Sequence, residues 1–151
     1  MHRSLRRVAA VSLLIGLAAL AFALPAAAGG RPFTTSLSGA AELPAPGDPD
    51  ATGTAQVTVN PGTRQVCWSV SVDNVDLPIV AAHIHLGGVD TFGSPVVFLL
   101  PAGVSDADGE FADCTTVERS LAFALLLTPE NYYVNVHTTL FPAGAARGQL
   151  G

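Results

Sequence analysis

The chain has 151 residues, of which 49% are hydrophobic and 13% charged, and its formal net charge is −5. Its length is that of one ordinary domain, and high hydropathy with few charges excludes an intrinsically disordered chain. Two cysteines are too few for a disulfide-dense miniprotein or for a zinc finger built on cysteine.

The first 28 residues read as a secretory signal. Arg3, Arg6 and Arg7 form a basic start, Val8 to Leu24 is an uncharged apolar run, and Pro25-Ala26-Ala27-Ala28 offers an A-x-A-like cleavage site before Gly29. The run is shorter than the ~20 residues of a membrane span, which favours cleavage over an uncleaved anchor. Val8-Ala9-Ala10 after Arg6-Arg7 is a poor twin-arginine match, so Sec export is expected. Residues 29–151 would then form one secreted domain with no further membrane span. Only Arg31, Arg64, Arg119 and Arg147 remain basic there, with no lysine. Four scattered arginines cannot displace counterions from a polyanion, which excludes nucleic acid and anionic lipid as partners.

Turn residues recur every eight to twelve positions between alternating apolar stretches. That rhythm predicts an all-β sandwich or barrel of about seven to eight strands. Phe33 to Ser38 is the first strand, and Glu42 to Gly53 is a loop rich in Pro, Gly and Asp. Ala55, Val57 and Val59 alternate with polar residues. Asn60-Pro61-Gly62-Thr63 then turns the chain into Gln65 to Val72, which predicts a hairpin. In its second strand Val66, Trp68, Val70 and Val72 share the core face. Cys67 is on the other face, and its pairing with Cys114 is expected to be a structural disulfide. Closing that loop of 47 residues is worth about 4 kcal/mol on the chain-entropy model.

Val80 to Leu86 alternates again, with Val80, Ala82, Ile84 and Leu86 inward and Ala81, His83 and His85 outward. Val96 to Leu100 and Glu110 to Thr116 are further strands. Val117 to Leu127 lacks strict alternation and is the one short helix, ended by Thr128-Pro129. In Tyr132 to Thr138, a β-prone strand, Tyr133, Asn135 and His137 share one face. Arg147 to Leu150 is the last short segment.

His83 and His85 leave the same side of the pleat about 6.5–7 Å apart, which lets two imidazoles converge on one ion. His137 from another strand would complete a three-histidine site for copper or zinc with an open position. The same residues can instead form a structural cluster bonded to Arg147, Asn135 or backbone, since a neutral imidazole is satisfied by one donor and one acceptor. The place of Arg147 separates the cases. A guanidinium stays protonated and repels a cation, so at the centre of the cluster it would point to an anionic or carbonyl ligand. The expectation is one polar site in which His83, His85 and His137 converge with Asn135 and Arg147 beside them, the arginine at its centre.

Leu37-Ser38-Gly39-Ala40-Ala41-Glu42-Leu43-Pro44, Ala82-His83-Ile84-His85-Leu86-Gly87, Tyr133-Val134-Asn135-Val136-His137-Thr138 and Arg147-Gly148-Gln149-Leu150 resemble, in that order, the hallmark segments of the CHRD domain. The resemblance runs from about Phe33 to the C-terminus. It implies an immunoglobulin-like, Greek-key or barrel-like module of extracellular proteins with no established enzymatic activity. Its motif residues correspond to Glu42, His83, His85, Asn135, His137, Arg147 and Gln149. The acidic residue usual before the final arginine is Ala145 here, so no carboxylate role carries over to that position.

The expected function is therefore a secreted, non-catalytic module that binds an extracellular protein or small ligand and requires no cofactor. The alternative is a copper or zinc protein using the histidines, as in a superoxide dismutase, although the further metal-binding segment of such an enzyme is missing. Ser69 or Ser71 could be drawn into a hydrolase triad, but no G-x-S-x-G elbow accompanies them. Asp106, Asp108, Glu110 and Asp113 suggest a calcium loop but lack the terminal bidentate Glu, so a solvated acidic loop is expected. Trp68 reads as a core residue.

Overall fold

The computed structural model describes residues 29–101 and 103–151; the expected signal sequence lies outside them. Among the described residues there are eight strands: β1 (Arg31–Ser38), β2 (Thr52–Asn60), β3 (Gln65–Asp73), β4 (Ile79–Leu86), β5 (Pro95–Phe98), β6 (Glu110–Thr116), β7 (Tyr132–Thr138) and β8 (Ala146–Gln149). Among the described residues one α-helix, α1 (Arg119–Leu127), lies between β6 and β7. All strands join one antiparallel sheet in the order β5-β4-β7-β8-β1-β2-β3-β6. The all-β expectation holds, as a single curled, half-barrel sheet instead of two facing ones. Among the described residues no helix is long and apolar enough to cross a membrane.

The β2–β3 hairpin forms where the alternation and the Pro-Gly turn place it, with Asn60 opposite Gln65. Asn60 Oδ1 accepts the amides of Gly62 and Thr63, an Asx turn that closes the bend. Val57, Val59, Val66, Val70, Ile84 and Val136 line the inner face and are buried. Trp68 joins them, on the side of β3 away from Cys67. The disulfide Cys67–Cys114 links β3 to β6 at directly opposed positions.

Helix α1 starts at Arg119, two residues later than expected. The Val117 amide donates to Arg64 O at 2.9 Å, which keeps that residue with the strand end. Ala122 and Leu125 turn into the core, and the Thr128 hydroxyl closes the last turn on Ala124 O at 3.0 Å.

The expected facing of β4 needs correction at both ends. Ile79 is buried and Val80 exposed, because the pairing with β7 shifts register between Ile79 and Ala81 and inverts the alternation there. Leu86, at the other rim, is exposed as well. Between these points Ala82 and Ile84 face the core and His83 and His85 face away.

Candidate functional site

Strand pairing arranges the outer face of β4, β7 and β8 as a grid. His83 stands opposite Asn135, which stands opposite Arg147; one row over, His85, Tyr133 and Gln149 align. His137 pairs with Ala81 in the row on the other side. Some directly opposed residues touch, as His85 does Tyr133, but His83 and His137 meet on the diagonal. Side chains of this length reach diagonal neighbours across a sheet, and they do so here.

His83 Nδ1 lies 3.1 Å from His137 Nε2. His85 joins them, its ring centroid 5.3 Å from that of His83 and 6.2 Å from that of His137. One nitrogen from each of the three imidazoles lies within 4.8 Å of the others, so the three expected ligands do converge. A carbonyl only accepts, so the contacts at His85 Nδ1 to Gly93 O (2.8 Å) and His137 Nδ1 to Pro142 O (3.1 Å) place a proton on both Nδ1 atoms. In the neutral rings His137 Nε2 then accepts from His83 Nδ1–H, and His85 Nε2 is buried without a partner. Burial lowers the basicity of all three rings; His83, also facing His137 and His85, is pushed down to about 4. Neutral imidazole is the ligating form.

Arg147 is kept out of this cluster. Its guanidinium carbon sits 3.5 Å from the centroid of the Tyr133 ring. The His85 ring stacks on Tyr133 with centroids 4.9 Å apart and planes 12° from parallel. Nη2 of Arg147 donates to Gly88 O (2.7 Å), Thr91 O (3.1 Å) and Gln149 Oε1 (3.4 Å). The expected single site is thus two assemblies divided by an aromatic ring.

Asn135 belongs to the arginine side, donating from Nδ2 to Glu42 Oε1 at 2.6 Å. Glu42 is 4% exposed, and burial raises its carboxyl to about 7 against the opposing pull of Asn135 and Arg147. Gly144, at φ +149°, packs its backbone against both side chains and leaves no room for a Cβ. Gln149 Nε2 holds the carbonyls of Gly87, Glu130 and Tyr132.

Tyr133 was not among the expected site residues, although its parity with Asn135 and His137 puts it on their face. Its hydroxyl accepts the Gly93 amide at 3.2 Å, fixing the residue whose carbonyl orients His85. Phe98, edge-on to His83 at 4.9 Å, was also missed; it comes from β5, whose register no local pattern reveals. The other candidates stand elsewhere. Ser71 faces Glu110 across β3 and β6, at the far end of the strand order. Asp106 uses Oδ1 to accept the Asp108 and Gly109 amides, which makes it a turn former.

The four segments that build these assemblies are those of one family, and the family model for the CHRD domain matches residues 33–150. The chain belongs to the CHRD domain family. Searches of curated proteins and of solved structures give no match. Every residue of both assemblies falls inside the CHRD match, including Tyr133 and the residues with the accepting carbonyls, Gly93 and Pro142.

Proposed function

We propose that this CHRD protein is a secreted, non-catalytic binding module, with residues 1–28 as a removable signal, and that His83, His85 and His137 hold one zinc or copper ion. The observation that carries the metal assignment is the orientation of the rings. Two of the three spend their Nδ1 protons on backbone carbonyls, the arrangement that fixes the tautomer of a ligating histidine. A buried, partnerless Nε2 on His85 is the atom such an ion would satisfy. Ligands about 2.0–2.1 Å from a tetrahedral zinc stand ~3.4 Å apart, so small ring rotations bring the present spacing to that of a bound ion. The Tyr133 ring keeps Arg147 out of contact with His85, although the arginine's charge still helps to hold that imidazole neutral. Secretion is supported by the family, whose domains are extracellular in general, and by the disulfide.

Elemental analysis and calorimetric titration with zinc and copper test the assignment. One equivalent bound at submicromolar affinity is expected, lost in His83→Ala and in His137→Ala while far-UV circular dichroism stays all-β. Substoichiometric metal, or binding retained by both variants, would overturn it.

A further inference from the structure

Behind Tyr133 lies a cavity of about 260 Å³ with Glu42, Arg147 and Gln149 as polar lining, Leu43 and Val89 as apolar walls, and Asp90 at the exposed side. Arg147 is 2% exposed, and a guanidinium cannot lose its charge. Its Nη1 is buried with no partner, and every acceptor its Nη2 reaches is neutral. A buried cation without an anion is a costly arrangement. Glu42 is a weak counter-charge: its Oε1 is engaged by Asn135, and with the carboxyl raised to about 7 a large share is protonated near neutrality. Asn135 Oδ1 is a second buried polar atom without a partner.

We infer that this cavity binds a small organic carboxylate, one oxygen turned toward the buried Arg147 guanidinium at the cavity wall while a short apolar chain lies along Leu43 and Val89. The acid form of Glu42 is a donor for the second oxygen, so ligand and side chain share one proton instead of repelling. Phosphate fits less well, since its second charge would face Asp90 and it has nothing to lay against the apolar walls. The inference is independent of the histidine trio.

The test is an NMR titration of metal-free ¹⁵N-labelled protein with butyrate, butyramide and phosphate, following the Arg147 side chain and the Val89 amide. Saturable one-to-one shifts are expected with butyrate, with butyramide and phosphate at least about ten-fold weaker. Asp90→Asn should tighten butyrate a few-fold by removing a like charge. Val89→Trp, at a position 68% exposed and so tolerant of the change, should fill the cavity and abolish the shifts with the fold intact. A tripeptide with a free C-terminus, compared with its amide, separates two sources of the same chemistry: tighter binding than butyrate assigns the site to chain ends, weaker binding to free acids. Absence of saturation with both acids, equal binding of butyramide, or butyrate binding unchanged in Val89→Trp would overturn the inference.

Discussion

The two faces of β7 follow different rules although they share a backbone. Val134 and Val136 point into an aliphatic core, where stabilisation scales with area and has no direction. Tyr133, Asn135 and His137 point the other way, into contacts that each need one particular atom: the Gly93 amide, the Glu42 carboxyl, the Pro142 carbonyl. A core of that kind tolerates a change that keeps volume. The outer face does not, because a lost partner leaves a buried polar group unpaired. Family motifs in this chain sit on the second kind of surface.

The largest effect expected is that of the disulfide, which belongs to neither face's logic. Replacing Cys67 and Cys114 together with alanine should cost about 4 kcal/mol, read as a lower urea midpoint. A loss below about 1 kcal/mol would mean that sheet pairing alone restrains β6. Next comes Arg147→Met, expected to cost about 3 kcal/mol because the Gly88 and Thr91 carbonyls lose their donor and Tyr133 its cation. Arg147→Lys should recover little of this, since an ammonium lacks the planar fork. Full recovery would show that charge alone, and not direction, governs the outer face.

The third expectation concerns pH. The folded Glu42 carboxyl titrates at about 7 against an ordinary 4.5, so between those values the folded chain holds more protons than the unfolded one. Stability from this group is present below about 4.5 and lost as pH rises to 7, a change on the order of 2 kcal/mol. His83, lowered from 6.5 to about 4, acts in the opposite sense and loses stability as pH falls through that window. Glu42→Gln should abolish the first loss and keep the second, as measured by urea melts at about pH 5 and pH 8. The smallest effect is Ile84→Val in the core, expected to cost about 1 kcal/mol with no change in either polar assembly. A loss of metal binding in that variant would couple the two faces.

Strand alternation made most of the fold legible, because period two is written directly into residues such as Val66, Trp68, Val70 and Val72. It also placed His83, His85 and His137 on faces that meet. It failed at Val80, where one register shift inverts the phase, since nothing in the local pattern marks a bulge. It could not separate Arg147 from the histidines either. Parity gives the face of a side chain but not its lean, and the diagonal reach of Arg147 over Tyr133 depends on carbonyls of the 87–94 loop far away in sequence. Phe98 was hidden because the register that sets it opposite His83 is not written locally in β5.

The position of the disulfide sets where the sheet comes apart. β6 is an edge strand, and an edge is where fraying ordinarily begins, but Cys67–Cys114 rivets it to β3 in mid-strand. The opposite edge, β5, is four residues long, opens with Pro95 and has no such rivet. Peeling therefore proceeds from one side only, and the first strand it uncovers is β4. The amides of β5 and of the outer half of β4 should exchange with solvent before those of β6. The histidine strand thus stands next to the least secured border of the molecule, and an ion clamped between β4 and β7 would act as the missing rivet on that side.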